Sequence, residues 1–154
     1  MIENRFTEHI IGAAIEVHKT IGPGRLEAVY EECMTVELGL RDLRFHRQKP
    51  VHPSYKGHRL IAPLKVDLLV EEEVVVELKA VESLLPVHSA QLLTYLRLTD
   101  LRLGPLINFN VPQLSRGVKR VVNGFERPTF QSSPAHPAVD EATPAESCLG
   151  QGKT

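Results

Sequence analysis

The stretch Leu64-Lys65-Val66-Asp67-Leu68-Leu69-Val70-Glu71-Glu72-Glu73-Val74-Val75-Val76-Glu77-Leu78-Lys79-Ala80 decides the fold. Two runs rich in valine and leucine flank three glutamates, which reads as a β-hairpin closing through Glu71, Glu72 and Glu73. With Val70 opposite Val74, Asp67 falls opposite Glu77. Alternation with period two then puts Leu64, Val66, Leu68 and Val70 on one face with Val74, Val76, Leu78 and Ala80, a face for the core. The other face carries Lys65, Asp67 and Leu69 with Val75, Glu77 and Lys79, and a packed helix is expected over Leu69 and Val75. Two like charges stand about 4.5–5.5 Å apart at Cβ in such a pair, which is destabilising unless something positive joins them.

Working outward, Phe6, Ile10, Ala13, Ala14 and Val17 recur at helical spacing between about Asn4 and Thr20, and Gly22-Pro23-Gly24 breaks the pattern. A second helix is expected from Leu26 to about Leu40, with Leu26, Val29, Tyr30, Cys33 and Val36 as its apolar stripe. Extended segments follow at Phe45–Pro53, Leu60–Val70 and Val74–Ala80, with a turn at Tyr55-Lys56-Gly57-His58, and together they read as a three-stranded antiparallel meander. Pro86 opens a helix from about Val87 to Leu98, and Leu103–Phe109 reads as a buried strand. A helix joining the strand that ends at Ala80 to this one makes a βαβ crossover, so the last pair is expected to be parallel. The expectation is an α/β fold with a mixed four-stranded sheet in the order αβββαβ, preceded by an extra N-terminal helix. A short helix is expected around 113–123. Pro63 and Pro105 fall in or beside strands and call for edges, strand starts or bulges.

The 154 residues are 42% apolar and 24% charged, ordinary for one globular domain. That domain is expected over 1–125, with the Pro-rich tail 126–154 disordered. Glu3, Arg5 and Glu8 interrupt the start of the chain, so neither a secretory signal nor a membrane span is expected, and the setting is expected to be cytoplasmic. Cys33 and Cys148 lack metal-ligand or redox-motif spacing and are expected to be free thiols. The net charge is −1, but Arg41, Arg44, Arg47, Lys49, Lys56, Arg59 and Lys65 face only Asp42 in their segment. Such a segment suits a phosphate backbone; solvated strand and turn positions are the competing reading.

Oxygen ligands from Asp67 and Glu77, with the backbone carbonyl of Leu78 between Glu77 and Lys79, suit a hard divalent cation such as Mg²⁺ or Mn²⁺. Lys79 would orient or help deprotonate an attacking water, or offset charge on a scissile phosphate. A solvent-exposed Glu77–Lys79 surface pair is the rival reading, worth little energetically. His88, Gln91 and Tyr95 fall within about 60° of one another on the crossover helix and form a polar stripe that could reach the carboxylates. Glu27, in the first turn of the second helix, is accounted for by the helix dipole alone, as is His18 near the end of the first. No GxGxxG, Walker-type loop or GxSxG elbow is present, and no histidine pair at zinc-helix spacing, so nucleotide-binding, α/β-hydrolase and zinc readings lack their local requirement.

Gly24-Arg25-Leu26-Glu27-Ala28-Val29-Tyr30 matches the signature of the prokaryotic GxxExxY family, and Asp67, Glu77-Leu78-Lys79 and Gln91-Leu92-Leu93-Thr94-Tyr95 resemble its later motifs. The resemblance runs from about Phe6 to Asn123. That family sits in the PD-(D/E)xK (restriction-endonuclease-like) nuclease superfamily, so the resemblance implies metal-dependent cleavage of nucleic acid, most of all DNA. It makes Asp67 and Glu77 metal ligands, Lys79 the catalytic lysine and Glu27 an additional acid acting on the metal or its water. Gln91 and Tyr95 become site-lining residues. Val66 stands where the motif has proline, which leaves the carboxylate of Asp67 in place. A non-catalytic module that binds nucleic acid or protein on the same scaffold, as part of a repair or defence complex, is the alternative, and a homodimer or larger assembly stays open.

Overall fold

The computed structural model describes residues 2–124; the expected boundary at 125, the Pro-rich tail and Cys148 lie outside the described residues. Two helices come first, α1 (Ile2–Ile21) and α2 (Glu27–Leu40), followed by the strand β1 (Phe45–Val51). A two-stranded ribbon, β2 (Ser54–Tyr55) and β3 (His58–Arg59), precedes the hairpin β4 (Leu64–Val70) and β5 (Val74–Lys79). Helix α3 (Pro86–Thr99), strand β6 (Leu103–Asn108), a 3₁₀ turn (Leu114–Arg116) and β7 (Val118–Val122) complete the described chain.

The main sheet has five strands in the order β1-β4-β5-β6-β7, not four. β1, β4 and β5 are antiparallel neighbours, as expected of a meander, and β5 and β6 are parallel across the α3 crossover. The fifth strand replaces the helix expected at 113–123: β7 pairs antiparallel with β6, Val118 opposite Ile107 and Val121 opposite Gly104. Val118, Val121 and Val122 favour a pleated surface over a helix, and the chain can turn into β7 because a Cβ on Gly117 would sit 2.0 Å from the carbonyl oxygen of Asn108. The strand expected from Leu60 begins only at Leu64, after Pro63; the residues before it form the separate ribbon, which turns at Lys56-Gly57. Pro105 lies in an interior strand, yet the pairing of β6 with β5 begins one residue later, at Leu106, so its missing N–H falls where that parallel ladder starts.

Both faces of the sheet are covered. On one, Ile10, Ala13, Ala14 and Val17 of α1 and Tyr30, Met34 and Leu38 of α2 pack on Leu68, Val70, Val74, Val76, Leu78, Ile107 and Phe109. On the other, Leu92, Tyr95 and Leu96 of α3 pack on Val66, Leu69, Val75, Leu106 and Val121. The buried stripe of α2 therefore runs through Tyr30, Met34 and Leu38; Leu26 and Val36, expected inside, are exposed. Its inward face also carries Glu31.

One departure from regular pleating shapes the site. Leu64 and Val66 lie on the α3 face, opposite to their expected side, whereas Leu68 and Val70 keep the α1/α2 face. The change of face occurs at Asp67. It is matched on β1, where Phe45 packs against the first cluster and Val51 against the second. The β1·β4 register is the same on either side, Arg47 opposite Leu68 and Lys49 opposite Val66, and only the rung between Gln48 and Asp67 is missing. Gln48 has φ +52°, a left-handed conformation that costs a non-glycine residue of order 1–3 kcal/mol. Both strands roll over at one rung without changing register.

Candidate active site

The hairpin registers as expected through Leu68 opposite Val76, Leu69 opposite Val75 and Val70 opposite Val74. One step further the carboxylates replace the ladder. The Leu78 N–H donates to Asp67 Oδ2 at 2.9 Å, and the Asp67 N–H donates to Glu77 Oε1 at 3.3 Å. Glu77 is 2% exposed and Asp67 8%, so the solvent-exposed surface pair is not what folds. These amide bonds accommodate two facing acids that a plain ladder would set in bare repulsion.

Proton uptake accommodates them further. Burial, with the neighbouring Asp67 charge second, pushes Glu77 up to about 9. Asp67 is also raised, by burial first and by Glu31 next, against the lowering effect of the Leu78 amide, Gln48 and Lys79. Glu27 is raised by burial, opposed by Lys79 and reinforced by Asp67 and Glu31. Tyr95 is raised by burial and by the charge of Glu77. These mutual influences gather the expected residues Glu27, Asp67, Glu77, Lys79 and Tyr95 around one patch of field.

A hydrogen-bonded chain ties α3 to it. Lys79 Nζ donates to Gln91 Oε1 at 3.1 Å, and Gln91 Nε2 donates to the Tyr95 hydroxyl at 2.9 Å. Gln91 fixes the ammonium while Tyr95 fixes Gln91. His88, the third member of the expected stripe, is occupied otherwise: its Nδ1 accepts the Leu85 N–H at 2.9 Å and closes the first turn of α3. Tyr30 of the GxxExxY stretch holds the loop ahead of Glu27, donating from its hydroxyl to the Gly22 carbonyl at 2.6 Å and accepting the Arg25 N–H. Its ring stacks on Phe109 with centroids 4.4 Å apart. His18 is no simple dipole partner for α1; its Nε2 bonds the Val111 carbonyl across the fold.

Two residues of the site went unread in the sequence. Glu31, 6% exposed, takes Arg47 Nε at 2.9 Å and Gln48 Nε2 at both oxygens. Gln48 Nε2 also reaches Asp67 Oδ1 at 3.2 Å. The available signal was the i, i+4 spacing of Glu27 and Glu31, which places both acids on one side of α2.

Among the described residues no three His, Cys, Asp or Glu side chains gather closely enough to cage a metal ion. The donor set offers two adjacent carboxylates, and a hard cation that keeps most of its waters needs no more than one or two. The residues present fit such an ion, because the hairpin brings two carboxylates together at one rung, Asp67 Oδ2 held by the Leu78 N–H and Glu77 Oε1 by the Asp67 N–H.

A family model of this architecture matches residues 4–121. The chain belongs to the PD-(D/E)XK nuclease superfamily. Members of the superfamily are generally nucleases, typically working with divalent metal ions, and a five-stranded mixed sheet with helices on both faces is consistent with its fold. No curated protein and no solved structure matches the chain. No helix of the described residues is long and apolar enough to cross a membrane.

Proposed function

We propose that this protein is a metal-dependent nuclease of the GxxExxY type that hydrolyses phosphodiester bonds, with DNA as its substrate and Mg²⁺ or Mn²⁺ as its cofactor. The observation that carries the reading is the broken rung of the hairpin, where two buried carboxylates from adjacent strands meet beside an ammonium held by α3. Asp67 and Glu77 would hold the cation. The Leu78 N–H points at Asp67, and since the N–H and C=O of a strand residue share one edge, the Leu78 carbonyl opens toward the same gap. When bound, the ion supplies Lewis-acid polarisation of the phosphate and charge neutralisation in the transition state.

The remaining steps fall to the chain. Lys79, held by Gln91, orients the attacking water and donates toward the non-bridging oxygens as negative charge builds on them. Gln91 and Tyr95 keep that ammonium aimed, and Glu27, in the first turn of α2 and with its raised proton affinity, serves as an additional acid. His88 supports the start of α3.

The pairing of the basic segment narrows where a nucleic-acid substrate would lie. Arg44 pairs with Glu71, His46 and Lys49 with Glu72, Arg47 with Glu31 and Arg41 with Glu37, so much of that positive charge is answered locally. The ribbon differs: Lys56, His58 and Arg59 are exposed beside Tyr55, over whose ring Lys56 Nζ lies. Arg59, His52 and Lys49 line a common groove.

Purified protein incubated with labelled single- and double-stranded DNA and RNA in Mg²⁺, Mn²⁺ or chelator tests the reading. Cleavage is expected with metal, none with chelator and none from Lys79→Ala, whose fold and Mn²⁺ uptake should stay near those of the unaltered protein. Undiminished cutting by that variant would remove Lys79 from the mechanism.

A further inference from the structure

Gln48 occupies the one missing rung of the β1·β4 ladder, opposite Asp67, with a positive φ. Asparagine and aspartate tolerate that conformation because a short polar side chain bonds locally. Glutamine is longer and has no such reason to be there. Its carboxamide is held from outside the strand: Nε2 donates to Glu31 Oε1 at 3.0 Å, to Glu31 Oε2 at 2.9 Å and to Asp67 Oδ1 at 3.2 Å. An ionised carboxylate only accepts, so the nitrogen must be the atom that faces both acids, one hydrogen to each. Arg47, the preceding residue, also reaches Glu31. Neighbours in a regular strand point to opposite faces; the left-handed turn at Gln48 is what lets both reach the same carboxylate.

We propose that Gln48 is a positioning residue of the active site, which fixes the Asp67 carboxylate for a divalent cation by tethering it, through a neutral donor, to the Arg47-anchored Glu31. The inference rests on the metal-site reading given above. Asp67 is thereby held at both oxygens, Oδ1 by Gln48 and Oδ2 by the Leu78 amide, while each oxygen keeps a second lone pair for an ion. The neutrality of the donor matters. Lysine or arginine at this rung would cancel the charge that attracts a cation, and an acid would add a third negative group to Asp67 and Glu31. A carboxamide orients without either effect.

The test separates holding the fold from aiming the ligand. Gln48→Gly removes the carboxamide and at the same time relieves the positive φ, so the lost hydrogen bonds and the relieved strain offset each other in stability. In metal-stripped full-length protein, Mn²⁺ titrations followed by electron paramagnetic resonance are expected to give binding about 10–100-fold weaker in this variant, with a cooperative melt close to that of the unaltered protein. Gln48→Asn accepts the backbone conformation but is one methylene too short to bridge both acids. It is expected to bind Mn²⁺ about as weakly, and it carries the test if the glycine variant does not fold. Mn²⁺ affinity equal to that of the unaltered protein in a folded variant would overturn the role of Gln48 and leave the metal site standing, as would affinity that falls only in step with stability. Failure of the unaltered protein itself to take up Mn²⁺ would overturn the metal-site reading, and this inference with it.

Discussion

Glu77 is the residue at which burial and charge conflict most, and its consequences are measurable without substrate. Its proton affinity is raised from the ordinary glutamate value of 4.5 to about 9 in the folded chain. The folded state therefore binds more protons than the unfolded one between those values, and stability must fall as pH rises across that window. The contribution is complete below about pH 4.5 and is lost progressively toward pH 9, with a slope of at most about 1.4 kcal/mol per pH unit from this one group. Melts in chelator should accordingly drop in midpoint as pH rises, and Glu77→Gln, which mimics the protonated form, should flatten that dependence while removing Mn²⁺ uptake. An equally steep profile in the variant would assign the conflict to another group. At this scale the facing of Asp67 and Glu77 was legible, because a three-residue turn fixes which residues of the two arms meet, whereas period two failed at Asp67, where the strand changes face. Glu31 was not: reading Leu26, Val29 and Val36 as the buried stripe of α2 turned the helix so that Glu31 seemed to face solvent. Gln48 could not have been read at all, since nothing local in a glutamine announces a left-handed backbone.

The ribbon β2–β3 carries exposed Lys56 in its turn and exposed Arg59 on β3. Replacing Lys56 and Arg59 by alanine in the Lys79→Ala background should weaken nucleic-acid binding and make its salt dependence shallower, by about 0.9 in log–log slope for each phosphate that is no longer neutralised. Fluorescence anisotropy across a salt series would measure both, and an unchanged slope would remove the ribbon from the interface. β6 offers a prediction of another kind. A Cβ at Gly104 would lie 2.0 Å from the carbonyl oxygen of Val75, so Gly104→Ala must push β5 and β6 apart and is expected to cost about 3 kcal/mol, read as a fall in the denaturation midpoint. The meander and the crossover helix were legible from alternation and spacing. β7 was not, because Val118–Val122 is short, with Lys119 and Arg120 in its middle, and its strand character comes from pairing with β6.

For the whole molecule, the two hydrophobic layers were foreshadowed by the nearly unbroken apolar run of β5, which only a sheet covered on both faces accommodates. If a divalent ion binds the folded site alone, it adds stability by mass action, about 2.7 kcal/mol at a free concentration 100 times its dissociation constant. Mg²⁺ should raise the melting midpoint of the unaltered protein and leave that of Asp67→Asn unmoved; an equal rise in both would locate the ion elsewhere. The interior itself has a further consequence. Glu27 and Glu31 come from the layer built on α2, Gln91 and Tyr95 from the layer built on α3, and the hairpin acids stand between them. Loosening either layer would take away one wall of the candidate site. A copy damaged or half-folded on either side of the sheet thereby lacks a complete candidate site.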